Sequence, residues 1–185
     1  MPIRGWEVCV CEKIADLGPI MQLAYVPAHF VATAHFWTEV VGAGPFFHIP
    51  RMVYDNTKHH GEPCQIELSI MIGYWGDMQI ELIEQHCDTP SIYKSWRDAG
   101  HEGLHHVCIL VDDIAPARKL VAAKGWPVAQ EFLLDGGELI YVDTGGGPGT
   151  MVEVHQPSPA FVGLCAMARD AHRGWDGRDP IRLAG

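Results

Sequence analysis

The chain has no run of about 18 apolar residues, the minimum for a membrane-spanning helix. It also has no C-x-x-C pair, although it carries six cysteines: Cys9, Cys11, Cys64, Cys87, Cys108 and Cys165. Buried free thiols in a reducing cytosol fit that scatter, with a Cys9/Cys11 metal or redox pair as the alternative. Basic residues are scarce, 13 Lys and Arg against 23 Asp and Glu, for a net charge of −10. Such a surface repels phosphate backbones, so neither nucleic acid nor a membrane is an expected partner. The opening "MPIRGWEVCVCEKIADLG" places Glu7 and Glu12 where a secretory signal needs an apolar stretch. A cytoplasmic protein is therefore expected.

What is present is an ordinary globular composition, 48% hydrophobic and 19% charged over 185 residues. That suits one domain, or two small modules sharing a core. Hydrophobic periodicity shows one pattern twice. The first copy has a strand at 19–26 ("PIMQLAYV") and a helix at 29–42 ("HFVATAHFWTEVVG"). Strands at 46–54, 64–75 and 77–85 follow, the last two joined by a turn at Gly76 and Asp77. The second copy has a strand at 104–111 ("LHHVCILV") and a helix at 114–125. Strands at 127–134, 138–144 and 150–156 complete it. The order βαβββ thus occurs twice, and Gln22 to His29 spans the same interval as His106 to Asp113. A helix at 159–172 and a polar tail complete the chain. The expected class is α+β, with an N-terminal extension at 1–18, modules at 19–92 and 102–157, and a C-terminal helix and tail at 158–185. The loop "DNTKHHGEP", with His59 and His60, reads as solvated.

Four polar residues interrupt apolar strands at matched places: Gln22 and His106 in the first strand of each copy, Glu81 and Glu153 in the last. Buried carboxylates are costly unless paired or bound to a cation. Three oxygen donors and one nitrogen, with no thiolate, suit a divalent ion such as Zn, Ni, Co or Mn. In the pair "HH", strand alternation sends His105 to the opposite face and leaves His106 as the ligand candidate.

The phrases "MQLAYV", "HFWTEVVGAGPF", "MQIELIE", "GLHHVCILVDDI" and "GTMVEVHQP" resemble the vicinal oxygen chelate superfamily. That superfamily includes glyoxalase I, methylmalonyl-CoA epimerase, extradiol dioxygenases and bleomycin-resistance proteins. The resemblance covers about residues 20–157 and implies paired βαβββ modules whose curved, mixed sheets cup a metal ion. By that match the ligands fall on Gln22, Glu81, His106 and Glu153, a set similar to that of eukaryotic-type glyoxalase I. "GLHHVCILVDDI" looks most like epimerases. His29 stands where the family usually has aspartate, which the second copy keeps as Asp113. No set of basic residues is assignable to glutathione or to coenzyme A phosphates.

The resemblance implies a metal-dependent lyase or isomerase that abstracts a proton beside a carbonyl or thioester, through an enediolate or enolate. Glu153 is the expected base, and Glu67 in "CQIELSI" either a second base or an ordinary exposed glutamate. The expected partners are a small-molecule substrate and a second copy in a homodimer, with the site inside one chain or across the dimer. Two competing readings are a metal-free small-molecule binder of the bleomycin-resistance kind and an Fe(II) extradiol dioxygenase. The dioxygenase needs two histidines and a carboxylate, and Gln22 occupies one histidine's place.

Overall fold

A computed structural model describes residues 11–184. A 3₁₀ turn at Ile14–Leu17 leads into β1 (Ile20–Tyr25). Next comes α1 (Phe30–Phe36), which continues as a π-helical turn at Trp37–Val41. Gly42 ends it in the left-handed region, at φ 81°, where a Cβ is penalised. Strands β2 (Phe46–His59), β3 (Glu62–Trp75) and β4 (Met78–Gln85) finish the first unit. A short helix, α2 (Ile92–Asp98), is capped by the Ser91 side chain and precedes β5 (Leu104–Leu110). The second unit continues with α3 (Ala115–Lys124), β6 (Val128–Leu134), β7 (Gly137–Val142) and β8 (Met151–Gln156). Helix α4 (Pro159–His172) and a last strand, β9 (Ile181–Leu183), follow.

The strands form one sheet in the order β3-β4-β1-β5-β8-β7-β6-β2-β9, and β2 also pairs with β3. The sheet therefore closes into an eight-stranded ring, with β9 as a short branch on β2. The first strands of the two units lie antiparallel at the centre. Each runs parallel to the last strand of its own unit. The pairing carries a two-fold relation. Gln22 faces Cys108 and Ala24 faces His106, and a shift of 84 residues (106 − 22 = 108 − 24) exchanges the two pairs. Likewise Ala24 pairs with Glu81 as Cys108 pairs with Glu153.

Helices α1 and α3 cover the outer faces of the two units. Phe30, Ala34 and Trp37 pack on Ile80 and Leu82 of β4, while Ala117 and Val121 pack on Ile140 and Val154. Helix α4 begins at Pro159, as its periodicity predicts, with the Ser158 hydroxyl accepting from Phe161 N. It lies against β3 and contributes Phe161, Leu164 and Ala168 to a cluster with Phe47, Ile72 and Tyr74.

Three features depart from the sequence reading. "DNTKHHGEP" is strand on both sides of a tight turn at His60–Gly61, where both residues have positive φ. This extension gives Thr57, Lys58 and His59 of β2 their partners on β6, and so closes the ring. Its alternation is polar on both faces, so periodicity does not mark it. Helix α2 and strand β9 also lie in segments read as connection and tail. Cys9 lies outside the described residues; Cys11, Cys64, Cys87, Cys108 and Cys165 are free thiols. No described helix is long and apolar enough to cross a membrane.

At Gly73 a Cβ would come within 3.0 Å of the Phe46 ring, and Phe46 is fully buried. Phe46→Ala would empty the centre of the α1-side core. Urea denaturation should show a loss of about 3–5 kcal/mol.

Candidate metal centre

Alternation along four neighbouring strands brings polar side chains into an apolar ring interior. On β4, Gln79, Glu81 and Ile83 share the inner face; on β8, Glu153 and His155 do; on β5, His106 and Cys108 do. Gln22, Glu81, His106 and Glu153 are all buried, and all four belong to one chain. Gln22, Glu81, Glu153 and His155 line a common cavity of about 70 Å³. Its remaining walls are apolar or aromatic, among them Leu68, Ile70, Tyr54, Tyr141 and Phe161, and no Lys or Arg is among them.

Within this interior, Glu81, His106 and Glu153 can each point one atom at a shared centre, with those atoms within 4.8 Å of one another. His106 Nε2 lies 2.9 Å from Glu153 Oε2 and 3.7 Å from Glu81 Oε2. The shorter contact has the length of a hydrogen bond but not its direction, since neither His106 Nε2 nor Glu153 Oε2 has a hydrogen-bond partner. Two neighbouring ligands about 2.1 Å from an octahedral ion stand about 3.0 Å apart, with lone pairs aimed at the ion and not at each other. The 2.9 Å separation of His106 Nε2 and Glu153 Oε2 matches that spacing. Gln22 adds a further donor atom. Its Nε2 donates to Gln79 Oε1 at 2.6 Å, which leaves Oε1 buried without a partner. A buried acceptor without a donor is costly, and a cation would satisfy it.

The electrostatics point the same way. Burial, then the neighbouring Glu153 carboxylate, pushes the Glu81 pKa well above its ordinary value. For Glu153 burial also acts upward, but the adjacent His106 and His155 imidazoles outweigh it and hold the group low. Tyr54, at the cavity wall, is pushed up to about 12, first by burial and then by the two glutamates. Two carboxylates thus share a buried space whose nearest basic neighbours are imidazoles. The residues present fit a divalent cation in charge and in donor type.

His105 lies on the opposite face, as alternation predicts, and lines a separate cavity. Its ring turns toward its neighbour, and the two Nδ1 atoms lie 2.9 Å apart. Only one of them carries the shared proton. If His106 Nε2 presents a lone pair to a cation, His106 Nδ1 is the donor and His105 Nδ1 accepts. Burial, and then the neighbouring His106, lower the His105 pKa to about 3, so it is neutral and able to accept. The pair therefore fixes the His106 tautomer, as metal-ligating histidines commonly require. Trp96 packs edge-on against His105.

Glu67 is not brought to this centre. It pairs with Val53 across β2 and β3 and makes a 2.8 Å ion pair with Arg51. Its strand neighbours Leu68 and Ile70 take the cavity side. Two residues of the interior went unmarked in the sequence reading: His155 and Gln79. His155 lies two positions after Glu153, so period-two alternation was the available signal.

A sequence profile described as the Glyoxalase/Bleomycin resistance protein/Dioxygenase superfamily matches residues 21–142. The chain belongs to this superfamily. No curated protein matches the chain. Among solved structures, a hypothetical protein from Bacillus halodurans C-125 is similar at 14% identity and a TM-score of 0.53, over 74% of this chain and 92% of its own. Methylmalonyl-CoA epimerase from Mycobacterium tuberculosis is similar at 12% identity and a TM-score of 0.52, over 78% and 91%. At such identities the likeness is one of fold. The glyoxalase-superfamily fold is what brings the inner positions of β1, β4, β5 and β8 to one point.

Because the folded pKa of Glu81 lies above its ordinary value, its effect on the metal-free protein is unfavourable at neutral pH. It is relieved as pH falls from the raised value into the ordinary carboxylate range. Glu81→Gln should therefore leave the metal-free protein at least as stable as wild type at pH 7. If the centre takes a divalent ion, the same substitution should abolish the stabilisation of wild type by that ion, about 2.7 kcal/mol at a hundredfold excess over Kd and read as a rise in Tm. Thermal scans with and without a chelator measure both effects.

Proposed function

We propose that this protein is a divalent-metal-dependent lyase or isomerase that removes a proton beside a neutral carbonyl or thioester. The observation that carries this reading is the misaligned 2.9 Å contact between buried His106 and Glu153. In this reading Gln22 Oε1, Glu81, His106 Nε2 and Glu153 hold the ion. When bound, the ion supplies Lewis acidity that lowers the pKa of the neighbouring C–H and offsets charge developing on oxygen.

The protein side chains then divide the work. His105 holds His106 in the tautomer whose Nε2 is free. Glu153, whose carboxylate stands beside the site with one oxygen turned to His106 and the other to His155, takes the proton. Return of the proton to the adjacent carbon gives a glyoxalase-type outcome; return to the opposite face of the same carbon gives an epimerase-type outcome. With Glu67 engaged by Arg51, Glu81 is the carboxylate in place for a two-base exchange. The walls, largely apolar and aromatic and without Lys or Arg, suit a neutral reacting group.

Solvent deuterium exchange into 2-oxoaldehyde thiol adducts and 2-methyl acyl-CoA thioesters tests the proposal. Wild type with metal should exchange one of the two classes. Glu153→Gln should lower the rate by about 10²-fold or more. Unchanged exchange in that variant would remove Glu153 from the role of base, and exchange insensitive to a chelator would remove the metal.

A further inference from the structure

The ring interior carries a second group of metal-ligating side chains. Cys108, Glu153 and His155 are buried, and one donor atom of each lies within 4.8 Å of the others. Glu153 belongs to both groups, and its two oxygens face different ways. Oε2 stands beside His106 Nε2 at 2.9 Å, and Oε1 stands beside His155 Nδ1 at 3.3 Å. Neither ligand group contains both imidazoles. His155 is 2% exposed, and neither of its ring nitrogens has a hydrogen-bond partner.

The fold does not require these polar groups. By the two-fold relation, Cys108 stands where Ala24 stands in the first unit. His155 stands where Ile83 stands (155 − 83 = 153 − 81). Both counterparts are apolar and buried. An imidazole with two unpaired nitrogens in that place costs stability unless a ligand satisfies it. Resting on the metal-dependent reading above, we infer that the Glu153 carboxylate bridges two cation sites. The second site is formed by Cys108 Sγ, Glu153 Oε1 and His155, and takes a thiophilic divalent ion such as Zn²⁺ or Co²⁺. Carboxylate-bridged ion pairs about 3.5–4 Å apart are a known arrangement, and a thiolate with an imidazole favours zinc-like ions over Mg²⁺ or Mn²⁺. Binding there releases the Cys108 thiol proton to solvent.

The test is Co²⁺ loading of the full-length protein, read by metal stoichiometry and by the near-ultraviolet thiolate-to-cobalt charge-transfer band. Two equivalents and the band are expected in wild type, which needs no variant to be informative. Cys108→Ser should lose the band and one equivalent while keeping the other, and His106→Ala should keep the band. His155→Gln serves as the second variant, with the same losses expected as for Cys108→Ser. One equivalent in wild type overturns the bridged pair while leaving the single-ion reading intact. No bound metal overturns both readings together.

Discussion

Two carboxylates inside an apolar ring set the terms for the rest of this structure. Glu81 and Glu153 each reach the interior because the last strand of each unit is parallel to the first, with a fixed register. Neither has a Lys or Arg to pair with among the cavity walls. The interior settles this partly by raising Glu81 and partly by setting imidazoles against Glu153. Both responses leave donor atoms without partners, which is the condition a cation relieves.

The surrounding architecture serves that arrangement. The antiparallel junction of β1 and β5 places Gln22 and His106 on the same inner surface. The long β2–β3 hairpin reaches β6 and shuts the ring. Helix α4 adds Phe161, whose ring lies 4.5 Å from that of His155. Burial strengthens every charge interaction inside, and the same burial makes each unpaired group costly.

The duplication explains why the two halves are alike, and the departures from it show where this chain is particular. Ala24 and Ile83 show what the fold accepts at two inner positions, and their counterparts Cys108 and His155 are polar instead. His105 departs in another way. It belongs to the outer face by alternation, lines a separate cavity with Trp96 and His101, and still reaches His106 through its ring. A histidine pair on a strand thus joins the two faces instead of dividing them.

Much of this was legible in the sequence. Period-two and period-3.6 patterns located the eight ring strands and the helices α1, α3 and α4, and the repeat register singled out Gln22, Glu81, His106 and Glu153. Those signals are local, since burial of one face imposes them on consecutive residues. Ring closure was not legible, because the strand extension through Asn56 and Lys58 is polar on both sides. The fate of Glu67 was not legible either: periodicity cannot tell which face of a doubly packed strand turns inward, and only the pairing with β2 decides that Arg51 takes it. Nor could spacing foresee the two faces of the Glu153 carboxylate. That depends on His106 and His155, which lie on adjacent strands 49 residues apart (155 − 106) and come to flank Glu153 only when β5 and β8 are in register. The sequence by itself determined where the ring strands and three of the helices lie and which polar residues interrupt the strands. Tertiary structure decided which atoms would be left facing one another, because that is a property of register and ring closure and of no single strand.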